Sequence, residues 1–102
     1  LKPSTIQLFT SYQSATSRRG LGFDKTAKDN ASSKDPYPSL SAPTSVFGHT
    51  GFTGTCVWAD PDNQLLYIFL SNRVYPTRDN KAFSNLNLRA KIQEQIYQAI
   101  KK

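Results

Sequence analysis

Residues 65–70, Leu-Leu-Tyr-Ile-Phe-Leu, are apolar at every position. A strand buried on one face alternates apolar and polar residues, whereas a strand covered on both faces is apolar throughout. The run therefore predicts a central strand of a sheet with a covering layer on each side. A chain of 102 residues forms one domain with a single modest core, so it cannot easily supply both layers itself.

The first part of the chain predicts one helix and a long polar connection. Pro3 and Ser4 precede apolar residues at helical spacing, so a short amphipathic helix is predicted, with Ser4 as its cap and an end near residues 12–15. Residues 20–23 are enough for only a short strand. Residues 24–44 are rich in polar residues and contain three prolines, which predicts an exposed loop.

The second part predicts an antiparallel meander and a final helix. Strands are expected at residues 45–51, 53–59 and 65–72, with a hairpin across the Asp-Pro-Asp-Asn turn at 60–63. Apolar residues then recur mostly at every fourth position and form a helix face that should lie on the sheet: Leu88, Ile92, Ile96 and Ile100. The predicted class is α+β, with an antiparallel sheet of three to four strands flanked by an N-terminal and a C-terminal helix.

The net charge is +6, from 13 Lys and Arg against 7 Asp and Glu. Such an excess of positive charge could favour binding to nucleic acid or to an anionic envelope polymer. The basic residues are scattered, however, and neither a zinc-finger spacing nor an RNA-binding aromatic string occurs, which favours a solvated surface. The longest apolar run is far shorter than the roughly 20 residues that a membrane-spanning helix needs.

Cys56 is the single cysteine, and its place in a strand pattern predicts a buried thiol. Trp58 alternates with it and is expected in the core as well. The sequence begins at Leu1, contains no methionine and shows no signal-peptide pattern, so an excised piece of a longer protein is expected.

Residues 47–55 hold three of the five glycines and the only histidine, and they are the segment in which function is best sought. Closely spaced glycines in a strand region suggest that a ligand or another backbone comes close. Histidine beside threonine can hold an anion or transfer a proton. The alternative is a bend between two strands that carries a surface histidine.

Several motifs follow one another in an order that resembles a known family: Gly20-Leu21-Gly22-Phe23, Gly48-His49-Thr50-Gly51, Asp60-Pro61, Leu70-Ser71-Asn72-Arg73 and Tyr75-Pro76. They resemble the C-terminal segment of the penicillin-recognising serine hydrolases, in the branch of the class C β-lactamases and esterases. The resemblance covers essentially the whole chain. It implies that residues 1–102 are a single partial domain, part of an α/β sandwich, whose His-Thr-Gly strand edges the active site.

A narrower resemblance concerns the loop after the last strand. Residues 75–80, Tyr-Pro-Thr-Arg-Asp-Asn, and residues 86–89, Leu-Asn-Leu-Arg, are similar to versions in bacterial envelope proteins in which this hydrolase domain follows a glycosidase domain. This resemblance implies a periplasmic or cell-envelope location for the parent protein.

The catalytic serine of this family lies outside the chain. Acyl transfer in the family needs Ser-x-x-Lys, in which an amine takes the hydroxyl proton. No serine here has lysine three positions later, and no Tyr-x-Asn or Ser-x-Asn occurs. The resemblance therefore implies a segment that is inactive alone and acts with the remainder of the parent hydrolase domain.

The implied substrate is a small-molecule or peptide acyl compound: an ester, an amide, a D-amino-acid peptide or a β-lactam. No cofactor and no metal are implied, and neither a specific nucleic acid nor membrane insertion is expected.

The resemblance also gives roles to the residues of the triplet. His49 stands where the family usually has lysine, and would present a positive or hydrogen-bonding group to a substrate carboxylate or to the proton network of the nucleophile. Thr50 would offer its hydroxyl to the same anion, and Gly51 would leave room for substrate backbone. The backbone N–H of Phe52 would be one of two oxyanion donors.

Further substrate-binding residues are implied after the third strand. Asn72 and Arg73 end that strand near the same edge of the sheet, and Tyr75 either lines the cleft or covers the helix end. The family often has a second asparagine where Val74 stands, so a β-lactam carboxylate site is less expected.

Two hypotheses from other classes remain open. One is a stand-alone basic module that binds an anionic polymer or nucleic acid, and the other is a purely structural module. A parent gene with Ser-x-x-Lys and Tyr-x-Asn upstream of residue 1 would exclude both.

Overall fold

The computed structural model describes residues 1–101. Within this range the helices are α1 (Pro3–Thr10), α2 (Ala82–Leu86) and α3 (Leu88–Ile100), with a 3-10 helix at Asn30–Ser32. The strands are β1 (Asp24–Lys25), β2 (Phe47–Thr50), β3 (Cys56–Asp60) and β4 (Leu65–Phe69). None of these helices is both long and apolar enough to cross a bilayer.

The strands form one antiparallel sheet in the order β1-β2-β3-β4. The predicted hairpin joins β3 to β4, and Val57 of β3 pairs with His49 on one side and Ile68 on the other. With helices at both ends of the chain, the sheet confirms the predicted α+β fold. β1 pairs only with Phe47 and Gly48, so β2 continues past the end of β1.

α3 covers one face of the sheet, which we call the inner face. Trp58 of β3 and Tyr67 of β4 point to this face and are 2% and 5% exposed. Tyr97 of α3 packs with them, and Cys56 and Val46 complete the centre of the core. The predicted core positions of Trp58 and Cys56 are therefore confirmed.

Two polar side chains of α3 bind to opposite ends of β3, and we call them the polar clamp. The Arg89 guanidinium donates to the carbonyl oxygens of Gly51 at 3.2 Å and Thr55 at 3.0 Å, just before β3 begins. The Tyr97 hydroxyl donates to the Asp60 carboxylate at 2.6 Å, where β3 ends. Helix and strand advance by similar lengths between these contacts, about 12 Å and 16 Å, so they run side by side.

The Asp60 carboxylate is 4% exposed and depends on hydrogen bonds for its solvation. Besides Tyr97 it accepts from the backbone N–H of Asn63 at 3.1 Å and from the Asn63 side-chain amide at 2.8 Å. Burial, and then the hydrogen bond to Asp60, raise the pKa of Tyr97 above its usual value. The fold therefore holds Tyr97 as a neutral phenol.

The face of α3 that lies on the sheet is shifted from the predicted face, although Ile96 packs against the core as predicted. Ile92 and Ile100 are 39% and 47% exposed, whereas Gln93 and Tyr97 are buried. Apolar spacing predicted the first pair, but the inner face of the sheet presents a carboxylate and two turn carbonyl groups that need polar partners. The helix is therefore rotated by about one residue from the orientation that its apolar residues alone would favour.

β4 is an edge strand with a bare outer face, so the prediction of a central strand covered on both sides was wrong for the described chain. Leu66 and Ile68 are 62% and 53% exposed, and the neighbouring Val57 of β3 is 44% exposed. The described residues cover the inner face, through α3 together with Tyr37, Ala42 and Val46, but leave these outer side chains of β3 and β4 exposed. We call Val57, Leu66 and Ile68 the outer patch.

Residues 24–44 are partly buried, contrary to the predicted exposed loop. The segment contains β1 and the 3-10 helix, and Asp24 and Thr26 are 4% and 1% exposed. Polar side chains are buried here because they bind backbone groups, as when the Thr26 hydroxyl donates to the Pro43 carbonyl oxygen at 2.7 Å. Composition alone does not show such pairing.

α1 begins before the predicted cap. Lys2 occupies the N-cap position without a side-chain hydrogen bond, and Pro3 starts the helix, so Ser4 lies inside it. Proline suits the first turn because its missing N–H would have no intrahelical acceptor. The helix ends at Thr10 rather than at residues 12–15, and the strand considered at 20–23 begins instead at Asp24.

We expect Tyr97→Phe to lower the free energy of unfolding by about 1–3 kcal/mol, because the buried Asp60 carboxylate loses a donor. Urea denaturation followed by Trp58 fluorescence measures this change. Tyr75→Phe is the control, since Tyr75 is 79% exposed and its change should stay within about 0.5 kcal/mol. Equal losses in the two variants would contradict the assigned role of Tyr97.

The raised pKa of Tyr97 also predicts how stability depends on pH. The folded state keeps this proton longer than the unfolded chain, so the contribution is complete below the ordinary tyrosine value of 10.0 and is lost as pH rises further. Unfolding free energies measured between neutral pH and strongly alkaline pH should fall less steeply in Tyr97→Phe than in the original chain. Parallel curves would show that Tyr97 is not responsible.

Arg89→Gln should loosen the turn before β3 without unfolding the sheet. The Gly51 and Thr55 carbonyl groups would lose their guanidinium donor, so amide hydrogen exchange at Gly51 and Gly54 should accelerate about tenfold, while exchange at Trp58 stays unchanged. Lys91→Gln, on the exposed side of α3, is the matched control. Exchange rates of the turn that match the control would refute this role of Arg89.

Candidate functional site

Residues 51–55 join β2 to β3 in a tight turn that closes on itself. The Gly51 N–H donates to the Thr55 carbonyl oxygen at 2.8 Å, and the Gly54 N–H donates to the Gly51 carbonyl oxygen at 3.0 Å. Gly54 has a φ of +100°, a conformation that side chains disfavour. The turn therefore needs glycine for its own geometry.

Gly48 is required by packing inside the sheet. A Cβ atom there would lie 1.9 Å from the Val57 carbonyl oxygen and 2.8 Å from the Trp58 ring. The close approach predicted from the glycines is thus made, at Gly48, by the chain's own neighbouring strand. This part of the segment serves folding.

Arg89 is a site residue that sequence reasoning missed. Its guanidinium binds both ends of the 51–55 turn and lies 5.4 Å from the centre of the Phe83 ring. The position of the turn relative to α3 therefore depends on one side chain. An arginine next to Leu88 and Ala90 on the sheet-facing side of a helix is a signal that could have indicated a polar partner.

His49 is exposed on the outer side of β2 and has two close partners. Its Nδ1 lies 2.6 Å from the Thr50 carbonyl oxygen, and its Nε2 lies 3.2 Å from Nη1 of Arg19. Arg19 had no assigned role, because it precedes His49 by 30 residues and only the fold brings the two together.

A buried carboxylate lies beside Arg19. Oδ1 of Asp24 forms an ion pair with Arg19 Nη1 at 3.0 Å, and Oδ2 accepts a hydrogen bond from the Tyr37 hydroxyl at 2.7 Å. Burial, and then the hydrogen bond to Asp24, raise the pKa of Tyr37 to about 12, so the phenol remains a donor. The Arg18 guanidinium stacks 4.0 Å from the centre of the Tyr37 ring.

Thr50 and His49 lie on opposite faces, because side chains alternate along a strand. Thr50 is half-buried toward the inner face, whereas His49 is exposed on the outer face. A ligand lying flat on one face of the sheet would meet only one of them. A ligand that contacts both must lie along the edge of β2, where that strand runs past β1.

The Phe52 backbone N–H has no acceptor among residues 1–101. The Arg73 guanidinium lies 4.5 Å from the centre of the Phe52 ring, and the Arg73 N–H donates to the Thr53 carbonyl oxygen at 2.9 Å. The fold therefore brings Arg73 to the turn that follows the triplet.

Asn72 and Tyr75 lie farther out on the same loop. Asn72 is exposed, and Tyr75 is 79% exposed with its backbone N–H 3.4 Å from the Asn72 carbonyl oxygen. The structure does not place either side chain beside His49.

A shallow cleft of about 380 Å³ runs over the outer face beside His49. Its wall is formed mainly by apolar residues, among them Phe23, Phe47, Val57 and Ala59, and it includes the polar residues His49, Thr50 and Thr55. The cleft therefore offers a mainly apolar surface beside His49.

The functional groups around β2 and the 51–55 turn are mainly hydrogen-bond donors and guanidinium groups. Cys56 is 2% exposed, and burial raises the pKa of its thiol, so it is neither accessible nor a thiolate near neutral pH. No three His, Cys, Asp or Glu side chains within the described range are grouped to hold a metal ion. These residues therefore offer hydrogen-bond donors to a ligand, without an accessible thiolate.

Comparison with known proteins places these features in a family. A sequence profile described as Beta-lactamase matches residues 4–91. Curated relatives include proteins named putative D-alanyl-D-alanine carboxypeptidase from Escherichia coli strain K12, 31% identical over 83 residues, and from Salmonella enteritidis PT4, 32% identical over 83 residues. No solved structure gives a significant match.

The relatives are much longer than the matched segment. Each alignment covers 80% of this chain but 18% of the relative, so the chain spans about a fifth of the length of the curated proteins it matches. The family match itself includes β2 with its His-Thr-Gly triplet, the turn at 51–55 and Arg89. The chain belongs to the beta-lactamase family of penicillin-recognising serine hydrolases.

Proposed function

We propose that the chain is the C-terminal part of a β-lactamase-like serine hydrolase domain, of the class C and esterase-like branch, and that it supplies one wall of an acyl-transfer site. The observation that supports this is a family match over residues 4–91 in a sequence of 102 residues that has neither Ser-x-x-Lys nor Tyr-x-Asn. The nucleophile would come from the rest of the domain.

The proposed roles of the triplet residues follow from their positions at the edge of β2. The His49 and Thr50 side chains flank the edge from opposite faces. A Cβ atom at Gly51 would lie 2.3 Å from the Thr55 hydroxyl oxygen, so this glycine makes room for the chain's own turn rather than for substrate backbone. The unpaired Phe52 N–H is available to an oxyanion. A donor directed at the developing negative charge is worth roughly a hundredfold or more in rate.

The loop after β4 would contact more distant parts of the substrate. Arg73 is the best placed of these residues, because its guanidinium already lies over the Phe52 ring at 4.5 Å. Asn72 and Tyr75 are proposed as outer contacts, which requires the loop to face the remainder of the domain.

The proposed substrate is an acyl compound with a D-amino-acid amide as the first candidate. This choice is supported by the name of the relatives, which are described as putative D-alanyl-D-alanine carboxypeptidases. Esters and other amides are the alternatives, and β-lactams are less suited because Val74 replaces an asparagine frequent in the family. A cell-envelope location and a neighbouring glycosidase domain belong to the same proposal.

The remainder of the hydrolase domain is proposed to cover the outer patch. Val57, Leu66 and Ile68 are each more than two-fifths exposed on a sheet whose inner face is already covered. Burying an apolar side chain of this size contributes roughly 1.5–3 kcal/mol. The relatives extend far beyond the matched segment, which covers 18% of their length, so they contain enough chain for a second layer.

The isolated chain should neither hydrolyse a chromogenic ester nor become acylated by a fluorescent penicillin, because it has no activated serine. Incubation followed by gel fluorescence and mass spectrometry measures acylation directly. A full-length serine hydrolase of the family is the positive control. Stoichiometric labelling of the 102-residue chain would overturn the claim that it is inactive alone.

In the full-length protein, His49→Ala should lower kcat/KM about tenfold or more. The variant would lose the proposed hydrogen bond from His49 to a charged group of the substrate, and a bond of this kind is worth about 1.5–3 kcal/mol. Arg78→Ala, in the exposed loop, is the matched control and should leave kcat/KM unchanged. The gene sequence upstream of residue 1 should encode Ser-x-x-Lys and Tyr-x-Asn. Unchanged activity in His49→Ala would remove its role, and an upstream region without these motifs would remove the proposed function.

A further inference from the structure

Lys25 is a buried lysine without a carboxylate partner in the described chain. It lies in β1, where it pairs with Phe47 of β2, and it is 3% exposed. The one ion pair within residues 1–101 joins Arg19 to Asp24, and the other oxygen of that carboxylate accepts from the Tyr37 hydroxyl. The neighbouring Asp24 is therefore already engaged by other groups.

The ammonium group of Lys25 also lacks hydrogen-bond acceptors. It carries three N–H donors, and within residues 1–101 it has one acceptor, the Val46 carbonyl oxygen at 3.2 Å. Its Nζ lies 5.0 Å from the centre of the Tyr12 ring, and Nζ of Lys28 lies at the same distance from that ring. Two cationic groups thus share one aromatic ring, and neither forms an ion pair within the described range.

A lysine normally avoids this situation by extending its ammonium group into water while its aliphatic part stays buried. The low exposure of Lys25 excludes that arrangement. Burying a charge without a counter-ion is costly, and burial accordingly lowers the pKa of Lys25. A carboxylate placed beside the ammonium group would remove the imbalance.

A hollow of about 590 Å³ opens beside this lysine, and we call it the lysine cavity. Ser45 lines it together with Lys25, and the Ser45 hydroxyl oxygen is buried without a hydrogen-bond partner in the described chain. Ile6 of α1 and Phe47 of β2 form apolar parts of the wall. The cavity therefore suits a carboxylate that is flanked by apolar groups.

The surroundings of the lysine cavity indicate that a further layer of protein covers it. A second hollow of about 350 Å³ also borders α1 and shares Ile6 and Phe47 with the first. No residue of α1 is buried, and its apolar side chains are about half exposed. Phe47 lies on the same face of the sheet as the outer patch, because it alternates with Gly48 along β2. One covering layer could therefore reach both the outer patch and the lysine cavity.

We propose that the lysine cavity receives an acidic side chain, Asp or Glu with apolar neighbours, from the part of the parent domain outside residues 1–102. Its carboxylate pairs with Lys25 and accepts a hydrogen bond from the Ser45 hydroxyl. The inference rests on the proposed function, because it takes the remainder of the hydrolase domain as the partner. The aligned segment covers 18% of the relatives, so their remaining length can supply such a residue.

The ion pair is tested first by the pKa of Lys25, measured in the 102-residue chain and in the full-length protein. Lysine labelled with ¹³C at Cε reports protonation by NMR, and Lys25→Arg assigns the signal. We expect a lowered pKa in the isolated chain because of burial, and a higher pKa in the full-length protein because a carboxylate favours the charged form. Equal values in the two proteins would overturn the proposal.

Lys25→Met should affect the stability of the two proteins differently. In the 102-residue chain it removes a charge that lacks a counter-ion, so the urea midpoint should stay the same or rise. In the full-length protein it leaves a buried carboxylate unpaired, so the midpoint of the hydrolase domain should fall. Lys91→Met, on the exposed side of α3, is the matched control and should change neither midpoint. A midpoint of the full-length variant that does not fall would contradict the pairing.

The acidic partner is identified in the full-length Lys25→Met protein. Each Asp outside residues 1–102 is changed to Asn and each Glu to Gln, and one of these changes should restore the urea midpoint because no unpaired buried charge then remains. Failure of every such change would refute a single acidic partner. A lowered pKa of Lys25 in the full-length protein that rises with sodium butyrate, but not with butyramide, would assign the cavity to a free anion instead.

These measurements do not depend on catalysis. Equal pKa values in the two proteins would remove the acidic contact and leave the acylation and upstream-sequence tests of the proposed function untouched. A parent gene without a nucleophile would remove the hydrolase function, whereas the pKa and stability of the full-length protein would still decide whether Lys25 is paired.

Discussion

The polar clamp determines how α3 lies on the sheet, and most of the described structure depends on it. Arg89 and Tyr97 bind groups at the two ends of β3 that would otherwise be buried without partners, a carboxylate and two turn carbonyl oxygens. Leaving such groups unpaired costs about 1–3 kcal/mol each or more. The helix therefore turns its polar residues inward, although apolar residues are available on another side. Its docking then fixes both the core around Trp58 and the turn after the triplet.

Strand pattern and turn chemistry were sufficient to predict the meander, the hairpin and the fold class. They were not sufficient for α3, because apolar spacing carries no information about the carboxylate at Asp60 that the helix must meet. The run at residues 65–70 predicted two covering layers, and the described chain supplies one. This difference has a physical explanation. The apolar pattern of a strand reflects how its residues are buried in the whole folded protein, including layers that other segments provide.

The triplet was visible in the sequence, whereas the groups that control it were not. Arg19 lies 30 residues from His49, and Arg89 lies 34 to 38 residues from the carbonyl groups it binds, so no local pattern links them. Together with Arg73 beside Phe52 they place three guanidinium groups around one strand and its turn. Arg19 and Arg89 already bind acceptors within the fold. The net charge of the chain therefore says little about how many cationic groups are available to a ligand. Hydrogen-bond inventories of individual groups are more informative than net charge here.

Arg89 follows the turn at 51–55 by 34 to 38 positions. During synthesis, β2, the turn and β3 therefore leave the ribosome well before the residue that holds the turn has been made. A nascent chain can form the strands and the turn's own hydrogen bonds early, whereas the two contacts from Arg89 can form only after α3 has been made. The contacts that hold the turn against α3 are thus among the last of this unit to become available during synthesis.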